Sequence, residues 1–212
     1  MLKEHLLFFE GFLKNFESVG SFCSTTRWAA RELCAPLLDP DRPAANILEV
    51  GAGTGSVTLP IINSLKAGDS FTICELEPSF MATLKQKITS SCEPLSSDIK
   101  VNYFEGPIQE LPEDISYDYI ICSLPFLNFP PKLTAEIFKK FQRLANPEAR
   151  MTYYEYFALR AIGKYFPIRK RQERFFEIDR FFRELHSTNL NNRTNVWRNL
   201  LPIHVYSLDL RQ

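Results

Sequence analysis

Glu49-Val-Gly-Ala-Gly-Thr-Gly55 is the stretch that decides the fold. Glycines at 51, 53 and 55 let the backbone approach a ligand where any Cβ would clash, and they permit positive φ. The apolar strand Asn46-Ile-Leu-Glu-Val50 leads into this turn, and a helix to about Lys66 leaves it. That strand–turn–helix setting is what a nucleotide-binding glycine turn requires. Glu75 ends the next apolar run, Ser70-Phe-Thr-Ile-Cys74, 20 residues after Gly55. A carboxylate there can hold the two hydroxyls of a ribose. No Lys-Ser/Thr follows the glycines, so the turn is not a P-loop. The alternative is a tight turn beside a solvated Glu75.

Working outward, apolar runs predict further strands at 99–104, 117–122, 149–157, 194–198 and 202–210. Helices are expected from Pro78, which suits a first helical turn, and over 131–145 and 171–186. Alternating strands and helices imply an α/β fold, a doubly wound seven-stranded sheet whose last two strands form an antiparallel hairpin. Before it, Leu2, Leu6, Phe9, Leu13 and Phe16 line one face of a helix, and Thr25 or Thr26 can cap a second. The breaker segment Asp39-Pro-Asp-Arg-Pro43 divides an N-terminal helical extension, 1–40, from a core domain, 41–212.

Composition narrows the function classes. Among 212 residues, Lys+Arg and Asp+Glu are both 25, which argues against a protein built to cover a phosphate backbone. Residues 1–150 hold 14 basic and 19 acidic side chains, and residues 151–212 hold 11 and 6, so the last part is basic. Five cysteines without a CxxC read as free thiols of a reducing compartment. His5, His186 and His204 have no partner at ligand spacing, so no metal site is expected. The N-terminal apolar stretch, broken by Glu4, His5 and Glu10, does not read as a signal peptide, and no run approaches the roughly 20 apolar residues that span a bilayer. The expectation is a cytoplasmic protein.

The glycine turn preceded by an acid, with Glu75-Leu-Glu-Pro78 behind it, resembles the class I S-adenosylmethionine-dependent methyltransferases. The resemblance covers about residues 45–210 and implies a Rossmann-like fold with S-adenosyl-L-methionine as cofactor. It implies that Glu49, Gly51, Ala52, Gly53 and Gly55 surround the methionine part, and that Glu75 and Leu76 hold the ribose. Pro107 stands where the family often has an adenine-binding Asp, which leaves Glu105, Gln109 or a main-chain carbonyl to substitute.

Ser123-Leu-Pro-Phe126 is similar to the loop of amine-directed methyltransferases. The resemblance gives Ser123, Leu124, Pro125 and Phe126 the catalytic opening, Ser123 also touching the cofactor and the Phe126 ring packing on the acceptor. The longer run Ser123-Leu-Pro-Phe-Leu-Asn-Phe-Pro130, with Asn15 to Arg27, looks like the bacterial phosphatidylethanolamine N-methyltransferases, and Tyr156 matches a tyrosine of their fifth strand. The rRNA adenine dimethyltransferases are more distantly similar. Residues 160–183 carry eight basic side chains against three acids, interleaved with Tyr165, Phe166, Phe175, Phe176, Phe181 and Phe182. That pattern suits an anionic phospholipid surface, RNA phosphates and bases, or an amphipathic helix with its phenylalanines in the core. The leading expectation is a lipid N-methyltransferase peripheral to the inner membrane. RNA adenine, a small molecule, or cofactor binding without catalysis are the alternatives.

Overall fold

The computed structural model describes residues 25–92, 94–157, 169–199 and 201–210. The expected helix at 2–16 and the first part of the basic stretch, 158–168, lie outside them. In chain order the elements are α1 (Arg27–Leu33), β1 (Asn46–Val50), α2 (Thr58–Ile62), β2 (Ser70–Glu75), α3 (Pro78–Ser91), β3 (Lys100–Glu105), β4 (Tyr117–Cys122), α4 (Pro131–Leu144), β5 (Ala145–Tyr156), α5 (Arg169–Asn189), β6 (Leu190–Val196) and β7 (Ile203–Asp209). One seven-stranded sheet runs in the order β3-β2-β1-β4-β5-β7-β6. Its first five strands are parallel, and β7 lies antiparallel between β5 and β6. This is a Rossmann-like sheet closed by antiparallel strands.

Alternation along the strands sorts the core into two layers. Leu48, Val50, Ile120, Cys122, Met151 and Tyr153 face one way and pack with α4 and α5. Ile47, Phe71, Ile73 and Ile121 face the other way, among Ala29, Leu33, Ile61, Met81 and Leu84 of α1, α2 and α3. In α4, Leu133, Ile137, Phe141 and Leu144 repeat at helical spacing and are all buried. The Thr26 hydroxyl caps α1 by accepting from the Ala29 N–H at 3.4 Å. Pro78 opens α3, and Glu77 accepts from the Ser79 N–H.

Three boundaries differ from expectation. The helix after the glycine turn ends at Ile62, because Asp69 captures the Lys66 N–H at 2.7 Å and the Lys66 ammonium donates to the carbonyls of Asp39, Pro40 and Arg42. β5 begins at Ala145, directly after α4, and bulges against β4 between Tyr117 and Tyr119. β6 occupies 190–196, four residues earlier than expected.

The segment at 39–43 is tied into the core. Arg42 grips Asp69 through both ends of its guanidinium, at 2.9 and 2.7 Å, with both side chains buried. Arg42 also donates to the carbonyls of Leu37, Pro43 and Ser64, and Asp69 accepts from the Ala45 N–H, so the pair is hydrogen-bonded on every side.

The described part of the basic, aromatic stretch is an amphipathic helix. In α5, Phe175, Ile178 and Phe182 are buried, Phe176 is exposed, and Arg183 pairs with Asp179 at 3.0 Å. The aromatic side chains expected at a basic surface are thus divided, with Phe175 and Phe182 serving the core.

Candidate functional site

The site forms where β1, β2 and β4 end together. Gly51 N–H donates to Cys74 O at 2.9 Å, and Ser123 N–H donates to Val50 O at 2.9 Å, so all three exits are stitched by backbone. The glycines divide the work. A Cβ on Gly55 would stand 2.5 Å from Leu84 Cδ1, so this glycine lets α3 pack against the turn. A Cβ on Gly53 would meet nothing within 4 Å, so this residue borders open space that a side chain would fill. Gly51 lies against Leu124, whose Cδ2 would be 2.9 Å from an added Cβ.

Glu75 closes the turn from below. Its Oε2 accepts the Gly53 N–H at 2.7 Å, and its Oε1 accepts the Glu77 N–H at 3.0 Å. Burial raises the pKa of this carboxyl, and the backbone N–H groups oppose the rise. Leu76 is half-buried and packs on the α4–α5 core. Ala52 is buried on the α1–α3 side. Glu49 faces that side too, and is 0% exposed. Its burial pushes the pKa up to about 8; the Thr58 hydroxyl beside it acts downward and the Glu75 charge upward.

Gly106 N–H donates to Glu75 O at 3.0 Å and ties the exit of β3 to that of β2. Of the side chains offered in place of an adenine-binding acid, Glu105 is held by Lys85 at 2.8 Å. Gln109, in the 3-10 turn Ile108–Glu110, keeps a buried Oε1 with no hydrogen-bond partner.

The loop after β4 brings Ser123 and Leu124 to the glycine turn. The Ser123 hydroxyl is buried and has no hydrogen-bond partner. Pro125, at φ −83° and ψ 73°, forms an inverse γ-turn in which Phe126 N–H donates to Leu124 O at 3.0 Å. Pro125 O accepts from Asn128 N–H at 2.9 Å, so the Leu124 and Pro125 carbonyls already serve the loop's own backbone.

Phe126 corrects the expectation that its ring packs on an acceptor. It is 2% exposed, edge-on or tilted against Phe129, Phe138, Tyr153 and Phe182 with centroids 5.0–6.0 Å apart. Four surrounding rings hold it in the core by apolar burial and edge-to-face contact. Tyr156 stands at the same end of the sheet, pairs with Ile203 and packs edge-on to Tyr154.

The sequence reading missed a polar chain inside the aromatic core. The Tyr153 hydroxyl lies 2.6 Å from His186 Nε2 and 3.2 Å from Glu155 Oε1, and the His186 ring stacks on Tyr206 at 4.3 Å. The i, i+2 spacing of Tyr153 and Glu155 put them on one face of a strand, but nothing local pointed to His186.

Among the described residues no three His, Cys, Asp or Glu side chains gather to hold a metal ion, and no helix is long and apolar enough to cross a membrane. A cleft of about 210 Å³ between α1 and strands β5, β7 and β6 includes Arg150, which the register places level with the start of β1. It lies at the opposite end of the sheet from the glycine turn.

Residues 47–148 match the family model described as a methyltransferase domain. Over 152 residues the chain is 22% identical to an ornithine lipid N-methyltransferase of Singulisphaera acidiphila, spanning 69% of this chain and 74% of that one. The magnesium protoporphyrin IX methyltransferase of Synechocystis PCC 6803, solved with bound S-adenosylmethionine, superposes with a TM-score of 0.61 at 14% identity, over 86% of this chain and 78% of that one. The PH0226 protein of Pyrococcus horikoshii OT3 gives 0.64 at 13% identity, over 92% and 98%. The cofactor of this group is S-adenosylmethionine, and the open space at Gly53, the buried Glu75 carboxyl and the unpartnered Ser123 hydroxyl fit such a ligand. The glycine turn, the acid at the end of β2 and the inserted last strand around the matched residues 47–148 are those of an S-adenosylmethionine-dependent methyltransferase.

Proposed function

We propose that this protein methylates the amine of a lipid headgroup, phosphatidylethanolamine or a related aminolipid. The observation that carries the reading is the Ser123 hydroxyl, buried and unpartnered on a loop that lies against Gly51. The similarity to an ornithine lipid N-methyltransferase over 69% of the chain supports the acceptor class.

In this reading the backbone around Gly53 holds the methionine part of the cofactor, Glu75 takes the ribose hydroxyls, and Gln109 Oε1 accepts from the adenine amino group. When bound, S-adenosylmethionine supplies an electrophilic methyl group, the carbon–sulfur electron pair returning to sulfur as the acceptor nitrogen takes the carbon. Ser123 accepts an N–H of the incoming amine and turns its lone pair toward the methyl group. Holding the two partners in line provides much of the rate in such a displacement. The amine must arrive without its extra proton, and the ammonium formed sheds a proton to water before a further round. Phe126 contributes at one remove, because its buried ring anchors the Pro125 turn that sets Ser123.

The test is incubation with methyl-labelled cofactor and separate vesicles of phosphatidylethanolamine and ornithine lipid, an rRNA fragment, and a pool of small amines. Label in a lipid amine, reduced by Ser123→Ala, is the expected result. Label in RNA or in a small amine alone would overturn the reading.

A further inference from the structure

The end of the sheet that carries the glycine turn also carries the protein's most exposed indole. β5 leaves that end at Phe157, and the loop 197–202 between β6 and β7 turns there. Trp197 is 64% exposed, Leu201 45% and Phe157 44%, three of the seven large apolar side chains left exposed among the described residues. The register places Tyr153 level with Val50, so Phe157 stands four residues, about 13 Å, beyond the start of the glycine turn. Val196 pairs with Ile203, which pairs with Tyr156, so Trp197 stands level with Phe157, and their rings are 5.5 Å apart.

This tip is held, not loose. Thr26 N–H donates to Asn199 Oδ1 at 3.3 Å, Asn199 Nδ2 donates to Leu201 O at 2.9 Å, and Phe157 N–H donates to Pro202 O at 2.9 Å. Arg27 and Arg198 lie over the Trp28 ring, at 4.8 and 5.0 Å. The tip segments 25–28 and 197–202 contain Arg27 and Arg198 and no Asp or Glu.

We infer that this tip is the surface by which the protein docks on an anionic lipid bilayer, bringing the site's mouth to the headgroups. The inference rests on the lipid-amine reading for its purpose, not for its geometry. An exposed indole and phenyl ring with Arg27 and Arg198 on the same tip match the membrane–water interface, where aromatic rings settle at headgroup level and basic side chains meet anionic lipid. The chain supports this continuity: residues 1–24, with their apolar stripe, join the tip at Thr25, and the basic, aromatic segment 158–168 leaves it at Phe157. A second copy of the chain fits less well, since three side chains fall short of the roughly 800 Å² per partner of a stable dimer.

The protein has two tryptophans, so Trp28→Phe leaves Trp197 as the sole reporter. Titrated with phosphatidylglycerol–phosphatidylcholine vesicles, its emission should shift to the blue, and brominated lipid should quench it. Trp197→Ser with Phe157→Ser should weaken partitioning about tenfold or more. Arg27→Gln with Arg198→Gln should weaken binding to anionic vesicles and leave neutral ones unchanged. Unaltered S-adenosylhomocysteine binding by calorimetry shows that each variant is folded. An unquenched Trp197 on bound vesicles, or undiminished binding by the serine double variant, overturns the inference. So does quenching by an RNA oligonucleotide but not by vesicles, or a dimer in sedimentation velocity that Trp197→Ser dissolves. Docking through the tip without methyl transfer to any lipid amine sinks the acceptor assignment alone. Transfer to detergent-dispersed lipid without tip insertion sinks this inference alone.

Discussion

Replacing Glu49 with Gln will change how the protein's stability depends on pH. Glu49 lies on β1 two residues before the glycine turn, 0% exposed, with Cys34 and Thr58 on its side of the sheet. Burial raises its pKa from 4.5 to about 8. The folded state therefore holds the proton more tightly than the unfolded chain. The neutral carboxyl's contribution is fully present below pH 4.5, declines as pH rises, and is gone above about 8. The loss runs at about 1.4 kcal/mol per pH unit inside that window, on the order of 5 kcal/mol across it. Gln cannot ionise and should lose none of it. Urea unfolding followed by circular dichroism at pH 5, 6, 7 and 8 gives the comparison, and the difference between wild type and Glu49→Gln cancels the titrating groups that do not couple to Glu49, which excludes Glu75 and Cys34. That difference should swing by several kcal/mol in favour of Gln between pH 5 and 8. A difference that stays flat across the series would refute the argument, because it would mean that water reaches the carboxyl.

The glycines should respond in opposite ways. Gly55→Ala meets Leu84 at 2.5 Å with φ at +86° and should cost about 2–4 kcal/mol in urea unfolding. Gly53→Ala, with φ at +54° and free space, should cost only about 1–2 kcal/mol. It should nevertheless weaken S-adenosylhomocysteine binding by about tenfold or more, equivalent to ~1.4 kcal/mol in calorimetry. Arg42→Met leaves Asp69 buried without its cation and should cost about 3–5 kcal/mol, and adding Asp69→Asn should recover part of the loss in the same urea titration.

What was legible in the sequence was what is local. Asn46–Val50 and Tyr117–Cys122 are short, mainly apolar runs, broken inside only by Glu49 and Asp118, as suits strands covered on both faces, and the glycine turn with Glu75 is a short motif with few other uses. The role given to Phe126 failed because its environment comes from Phe138, Tyr153 and Phe182, which reach it only through the fold. Glu49 was expected near the methionine part of the cofactor, but its complete burial was not legible, since alternation says which face a side chain takes and not how deep that face lies. Arg42 and Asp69 sit 27 residues apart, one of them in a breaker segment, and no periodicity joins them. In α5 the signal was present and the core reading stood among the alternatives: Phe175, Ile178 and Phe182 are spaced by three and four, the mark of a core stripe, while the interleaved arginines suited a basic surface as well.

The grip of Glu75 on the Gly53 and Glu77 amides has a consequence for how a ligand arrives. One carboxylate fastens the loop after β1 to the loop after β2, so the two halves of the site share a single rigid frame before anything binds. The relative freedom of those loops is frozen by folding rather than by the ligand, which lowers the ordering entropy that association must overcome. Cofactor entry at this end of the sheet is then close to rigid docking. The Gly53 amide should exchange slowly with solvent deuterium even in the free protein, protected by a side chain 22 residues further along the chain.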